Sequence, residues 1–219
     1  MKFKTCIICQ TSDLALFSDK SENENFYKTA ETENAAVIAL KNNFLAGDAV
    51  LQLKNSPCKN IILFGSCGGC ADVNIGDMLA IDKAYDFESF TDMLENDPSL
   101  PFSKSLIENP PFKRYNAIPP AKTSVYGIIS TNSACVSSLI LERNYIDFFK
   151  ANEIRAVDME SSIVLSAAKA IRAKAFCLFY VSDLVEKPFG CALKNEEKAR
   201  VGKARKKLSE IVLRLCDEL

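Results

Sequence analysis

Two apolar runs, NIILF at residues 60–64 and AFCLFYV at 175–181, constrain this 219-residue chain more than any other feature. A strand wetted on one face alternates apolar with polar side chains, whereas a nearly continuous apolar run fits a strand covered on both faces. Helices are the natural covering layers. Ile163, Val164, Ala167, Ala168 and Ile171 recur at helical spacing, as do Val201, Ala204, Leu208, Ile211, Val212 and Leu215, and each set defines one buried stripe. Strands alternating with helices predict an α/β fold of three layers, α/β/α, around a central mixed, largely parallel sheet. One domain spanning residues 1–219 is expected, with no internal repeat or linker.

The remaining elements follow from local signals. FKTCIIC (3–9) reads as a short buried strand, and residues 25–41 read as two strands joined by a polar turn at Glu31 to Asn34. FLAGDAVLQLK (44–54) carries an imperfect helical pattern in Phe44, Leu45, Ala49, Leu51 and Leu53, stopped by Asn55, Ser56 and Pro57. DMLAID and SVYGIIS read as strands, SACVSSLILERN (133–144) as a helix capped by Ser133, and AVDMESSIVLSAAKAIR as a strand end entering a helix. From Phe87 to Pro120 the prolines of PSLP, NPPF and IPP forbid regular pairing, which makes this stretch the expected flexible or substrate-covering segment.

Composition closes off several functions. With 27 basic and 28 acidic residues the chain has no electrostatic footprint for nucleic acid or an anionic membrane. No run reaches the roughly 18 apolar residues that span a bilayer, and the N-terminus lacks a signal-peptide pattern, so a cytoplasmic location is expected. Nine cysteines without an export signal predict reduced thiols. Cys6 with Cys9, and Cys67 with Cys70, have the C-x2-C spacing of zinc half-sites. A strand through FKTCIIC, however, sends Cys6 and Cys9 to opposite faces, and no metal is assigned. The absence of His removes the commonest general base and metal ligand.

In open α/β sheets ligands collect beyond the carboxyl ends of the strands. Three strands here end in small, polar or acidic residues. Gly65-Ser66-Cys67-Gly68-Gly69 either bares its backbone N–H groups to an oxygen-rich ligand or forms a tight turn. Val157-Asp158-Met159-Glu160-Ser161-Ser162 opens a helix, where Asp158 can simply complement the dipole. Glu160 can accept hydrogen bonds from two neighbouring sugar hydroxyls while Met159 covers an apolar sugar face. In Val181-Ser182-Asp183 the acid is either a helix cap or, with partial burial raising its pKa, a proton donor.

In this order NIILFGSCGGCADVNIGDMLAID, AVDMESSIVLSAA and AFCLFYVSDLVEKP resemble the nucleoside phosphorylase and nucleosidase superfamily, and the match covers most of the chain except the proline-rich stretch. The resemblance implies a three-layer α/β/α domain that cleaves the N-glycosidic bond of a purine nucleoside, uses no cofactor and assembles as a homo-oligomer. It implies that Asp183, oriented by Ser182, donates a proton or hydrogen bond to purine N7. Glu160 would hold the ribose hydroxyls, with Met159 packed on the sugar and Val157 in the same substrate wall. Ser66, Cys67 and Gly68 would line the nucleophile side, and Thr131, in the stretch Ser130 to Ser133, the purine side. Asp13 lies near the N-terminal Glu with which nucleosidases activate water.

The sequence departs from the family at the nucleophile side. Leu63 and Phe179 stand where arginines are expected, and Cys9-Gln10-Thr11-Ser12, Asn42 and Asn43 replace glycines. Without the arginines a phosphate has lost its countercharge, which favours hydrolysis over phosphorolysis. Two alternatives stay open: a phosphorylase with its phosphate site relocated to Arg114, Arg143 or Arg155, and a nucleoside-binding protein that has kept the fold and lost the chemistry.

Overall fold

The computed structural model describes residues 2–87, 113–119, 125–188 and 190–219, so most of the expected covering segment between Phe87 and Pro120 lies outside the described residues. The strands are β1 (Thr5–Gln10), β2 (Glu22–Asn23), β3 (Tyr27–Glu31), β4 (Ala35–Leu40), β5 (Asn60–Gly69), β6 (Met78–Phe87), β7 (Arg114–Asn116), β8 (Ile129–Val136), β9 (Ile154–Asp158) and β10 (Lys174–Leu184). The α-helices are α1 (Ala46–Leu51), α2 (Ile146–Ala151), α3 (Ser161–Ala170) and α4 (Asn195–Glu218).

The two apolar runs become neighbours. β5 and β10 pair in parallel from Asn60 opposite Lys174 to Gly69 opposite Leu184. Ile61, Leu63, Cys177, Phe179 and Val181 pack on one face, under α1 and α3. Ile62, Phe64, Phe176, Leu178 and Tyr180 pack on the other, under Ala204, Leu208, Ile211, Val212 and Leu215 of α4. This is the expected three-layer arrangement, and it separates Cys6 from Cys9, which belong to opposite faces. No helix among the described residues is long and apolar enough to cross a membrane.

β5 is shared by two systems. Asn60 to Leu63 pair with β1, which carries β4, β3 and β2 outward. Gly68 and Gly69 pair instead with Val157 and Ala156 of β9, and β9 leads through β8 and β6 back to β10, closing a barrel. Ladders β1–β4, β1–β5, β5–β10, β6–β8 and β8–β9 are parallel and the others antiparallel, so the sheet is mixed.

Three local expectations are corrected. Residues 65–69 are not a turn after the strand but its continuation, and their glycines serve close packing. A Cβ on Gly69 would stand 2.7 Å from Val181 Cγ1 and 2.9 Å from Val73 Cγ2. The strand expected at SVYGIIS begins only at Ile129 and runs through Val136, where a helix was expected. Ser133 resembles a helix cap in sequence, yet it is fully buried with its hydroxyl 3.0 Å from that of Ser161, which meets its polar demand inside a strand. In the first helix Phe44 and Leu51 point outward, and burial falls on Ala46, Ala49, Val50 and Leu53.

Gly69→Ala is expected to destabilise the protein by about 1–3 kcal/mol through overpacking. Gly202→Ala, exposed in α4 with nothing within 4 Å of the added Cβ, is expected to stabilise it by about 0.5–1 kcal/mol. Urea denaturation of both variants checks the pair.

Candidate active site

Between the end of β1, the second half of β5 and the end of β9, the sheet opens into a cavity of about 380 Å³. Gln10 contributes from β1, Leu63 to Gly68 from β5, Val157 to Glu160 from β9 and the segment after it, and Phe179 with Ser182 to Leu184 from β10. Ser66, Cys67, Gly68, Val157, Met159, Glu160, Ser182 and Asp183 are thus brought together. Asp13 and Thr131 are not among the residues that line it.

Glu160 is held from two sides. Its Oε1 accepts from Gln10 Nε2 at 2.9 Å and its Oε2 from the Met159 amide at 3.3 Å. Gln10 also donates to Asn43 Oδ1, and Asn43 Nδ2 reaches Met159 Sδ at 3.7 Å. The residues that replace family glycines therefore form a bracket around the carboxyl. Burial, and then the neighbouring Asp158, push the Glu160 pKa up to about 7.

Asp158 itself serves the fold. Its Oδ1 accepts from the amides of Glu160 at 2.8 Å and Ser161 at 2.6 Å, and its Oδ2 from the Ser161 hydroxyl at 2.7 Å, which ties β9 to the first turn of α3. Burial raises its pKa against these hydrogen bonds.

Asp183 owes its position to a bulge. The β10 register against β5 shifts between Val181 and Asp183, which leaves Ser182 unpaired and sets Asp183 opposite Gly68. Ser182 donates to Asp183 Oδ1 at 2.7 Å, and its hydroxyl lies 3.3 Å from the Cys67 carbonyl. The partial burial expected of Asp183 is not found; its side chain is exposed.

Asp13 is 2% exposed and committed elsewhere. Its Oδ1 accepts from Arg205 Nε at 2.6 Å and from the Tyr180 hydroxyl at 3.3 Å, while Arg205 Nη2 donates to the Ser12 carbonyl. Arg205 and Tyr180 thus hold Asp13 outside the lining of the cavity. Thr131 lies within β8, 6% exposed, with its hydroxyl 3.3 Å from the Glu153 carbonyl. The β8 strand runs farther than its polar sequence suggests, and the segment after it supplies Leu139 and Glu142 to the cavity instead.

Among the described residues the charged ones lining the cavity are Glu142, Asp158, Glu160, Asp183 and Lys187, and Lys187 is paired with Glu197 at 2.9 Å. Leu63 and Phe179, at the positions of the missing arginines, are 3% and 1% exposed and pack in one core cluster. Arg114, Arg143 and Arg155 do not line the cavity; Arg155 pairs with Asp72 at 2.8 Å and Arg114 lies over the Tyr85 ring. Among the described residues no group of three or more His, Cys, Asp or Glu is placed to hold a metal ion. Sequence reasoning missed Gln10, Asn43, Leu139, Glu142 and Lys187 as wall residues. For Gln10 and Asn43 the signal was present as polar replacements at glycine positions; for the others, local pattern gives none.

Fold and site together define a mixed-sheet α/β protein with a ligand-sized cavity among its strand ends. The profile of the phosphorylase superfamily matches residues 46–217, and the chain belongs to that family. Solved structures share its fold at low identity. The Campylobacter jejuni 5′-methylthioadenosine/S-adenosylhomocysteine nucleosidase is 15% identical, with 99% of this chain and 100% of that chain covered and a TM-score of 0.70. A Helicobacter pylori futalosine hydrolase mutant is 14% identical, covering 99% and 100%, with a TM-score of 0.68. The Streptococcus pneumoniae nucleosidase with the transition-state inhibitor MT-ImmA is 16% identical, covering 99% and 98%, with a TM-score of 0.65. No curated protein matches the sequence.

Arg205→Met leaves Asp13 buried without its cation and is expected to cost about 1–3 kcal/mol. Burial already raises the Asp13 pKa above its ordinary 3.8, against the lowering effect of Arg205. An acid with a raised folded-state pKa binds more protons folded than unfolded, so stability falls as pH rises past that ordinary value. The variant's deficit should therefore be larger at neutral than at acid pH in urea titrations.

Proposed function

We propose that the protein hydrolyses the N-glycosidic bond of a purine nucleoside. The observation that carries this reading is the lack of a countercharge for phosphate: among the described residues no arginine lines the cavity, and the one lysine that does is already paired. A phosphate dianion would be desolvated there without a free cation to meet it, whereas water needs none.

In this reading Asp183, steered by Ser182 and covered once a nucleoside fills the cavity, delivers a proton or a hydrogen bond to N7 as the bond from C1′ to the base nitrogen breaks and its electron pair passes to the base. Glu160 holds the sugar hydroxyls, and Met159 packs on the sugar face. Water adds to the oxocarbenium-like C1′ and releases a proton, which returns through solvent to Asp183. Because the positive charge develops mainly before water adds, a neutral nucleophile suffices and a strong base beside it is dispensable.

One observation favours a second reading, a nucleoside-binding protein without turnover. The nucleophile wall presents the Gln10 amide rather than a free carboxylate, and Asp13 is engaged by Arg205. Incubation with adenosine, inosine, methylthioadenosine, S-adenosylhomocysteine and futalosine, with chromatography for free base, separates the two. Hydrolysis requires base release from at least one of them and a loss of roughly 10²–10⁴-fold in kcat on Asp183→Asn. Calorimetric binding with no base released supports the second reading.

A further inference from the structure

One acid of the cavity is idle in the mechanism above. Glu142 follows a bend in which the Ser138 hydroxyl accepts from the Leu141 amide and the Ser138 carbonyl from the Glu142 amide, each at 3.2 Å. Its side chain is 5% exposed and lines the cavity with Asp183. Among the described residues its Oε2 is the only buried side-chain nitrogen or oxygen without a hydrogen-bond partner. Buried polar atoms are almost always satisfied, and one that faces a ligand cavity is accounted for when the ligand brings the partner.

We propose that Glu142 reads the edge of the base and selects one that presents a hydrogen-bond donor beside an acceptor, as 6-aminopurines and 6-oxopurines do and unsubstituted purine does not. This rests on the reading that a purine nucleoside occupies the cavity. A neutral carboxyl offers an O–H donor and a C=O acceptor side by side, which matches such an edge at two points. Burial, and then the charge of Asp183, push the Glu142 pKa up to about 8, so the neutral form prevails at neutral pH. The other groups around it are Glu186 and Lys187 after β10, Lys150 on α2, Arg143 on its own turn and the Cys70 thiol at the end of β5. Lys150 is paired with Glu186 and Lys187 with Glu197, each at 2.9 Å, so both cations have carboxylate partners other than Glu142.

Calorimetry with free adenine, hypoxanthine and purine on the wild type, Glu142→Gln and Glu142→Leu tests the assignment, with nucleoside cleavage assayed in parallel. Glu142→Leu should weaken adenine and hypoxanthine by roughly 10- to 100-fold and purine, which offers only an acceptor there, by clearly less, and the retained purine binding reports an intact fold. The wild type should lose adenine affinity as pH rises through about 8, where the carboxylate meets the N1 acceptor, while Glu142→Gln, always neutral, should stay flat. Unchanged adenine and hypoxanthine affinity in Glu142→Leu, with cleavage intact, overturns this inference alone. Base binding that depends on Glu142 without any cleavage sustains it and overturns the hydrolase reading. A wild type that binds none of the three bases overturns this inference, and, if it also cleaves no nucleoside, the hydrolase reading with it.

Discussion

Everything in this protein depends on how closely β5 and β10 approach. Their ladder runs the length of both strands, and at its far end the bare backbone of Gly68 and Gly69 leaves room for Val181, Val73, Leu184 and Val185 where side chains would collide. That closeness lets β5 change partners along its length, with β1 beside its first half and β9 beside its last residues. The cavity lies among these strand ends. The same ladder carries the bulge that sets Asp183 opposite Gly68, so the sheet's geometry and the site's geometry have one origin.

Electrostatics then defines what the cavity tolerates. Glu142 and Glu160 are both buried beside other carboxyls, with pKa values pushed up to about 8 and about 7, so near neutral pH each can hold a proton. A nucleoside offers hydroxyls and a base edge, groups that a protonated or half-protonated carboxyl can bind as donor or acceptor. The Gln10 and Asn43 amides steady Glu160 without adding charge. The polar residues at positions where the sequence suggested glycines therefore form, in three dimensions, a neutral bracket for Glu160.

The layers of the fold were legible because they rest on burial. NIILF and AFCLFYV had to be covered on both faces, and the helix stripes ending at Leu215 supplied the cover. The strand-end motifs converged on one cavity for the same reason, since strand ends of one sheet share an edge. Element limits around Ser133 were not legible. A serine preceding apolar residues looks like a cap, and only the tertiary contact with Ser161 shows it to be an interior strand residue. Asp13 and Glu142 exchanged expectations in the same way. A long-range cation, Arg205, removed the first from the cavity, and the length of β8 brought in the second. Neither event has a signature within a few residues of the acid concerned.

The central claim is that water is the nucleophile. Its most direct test is turnover in heavy-oxygen water with inorganic phosphate present, followed by mass spectrometry of the sugar product. Hydrolysis predicts free sugar bearing the label at C1. Unlabelled sugar 1-phosphate, formed only when phosphate is supplied, contradicts it.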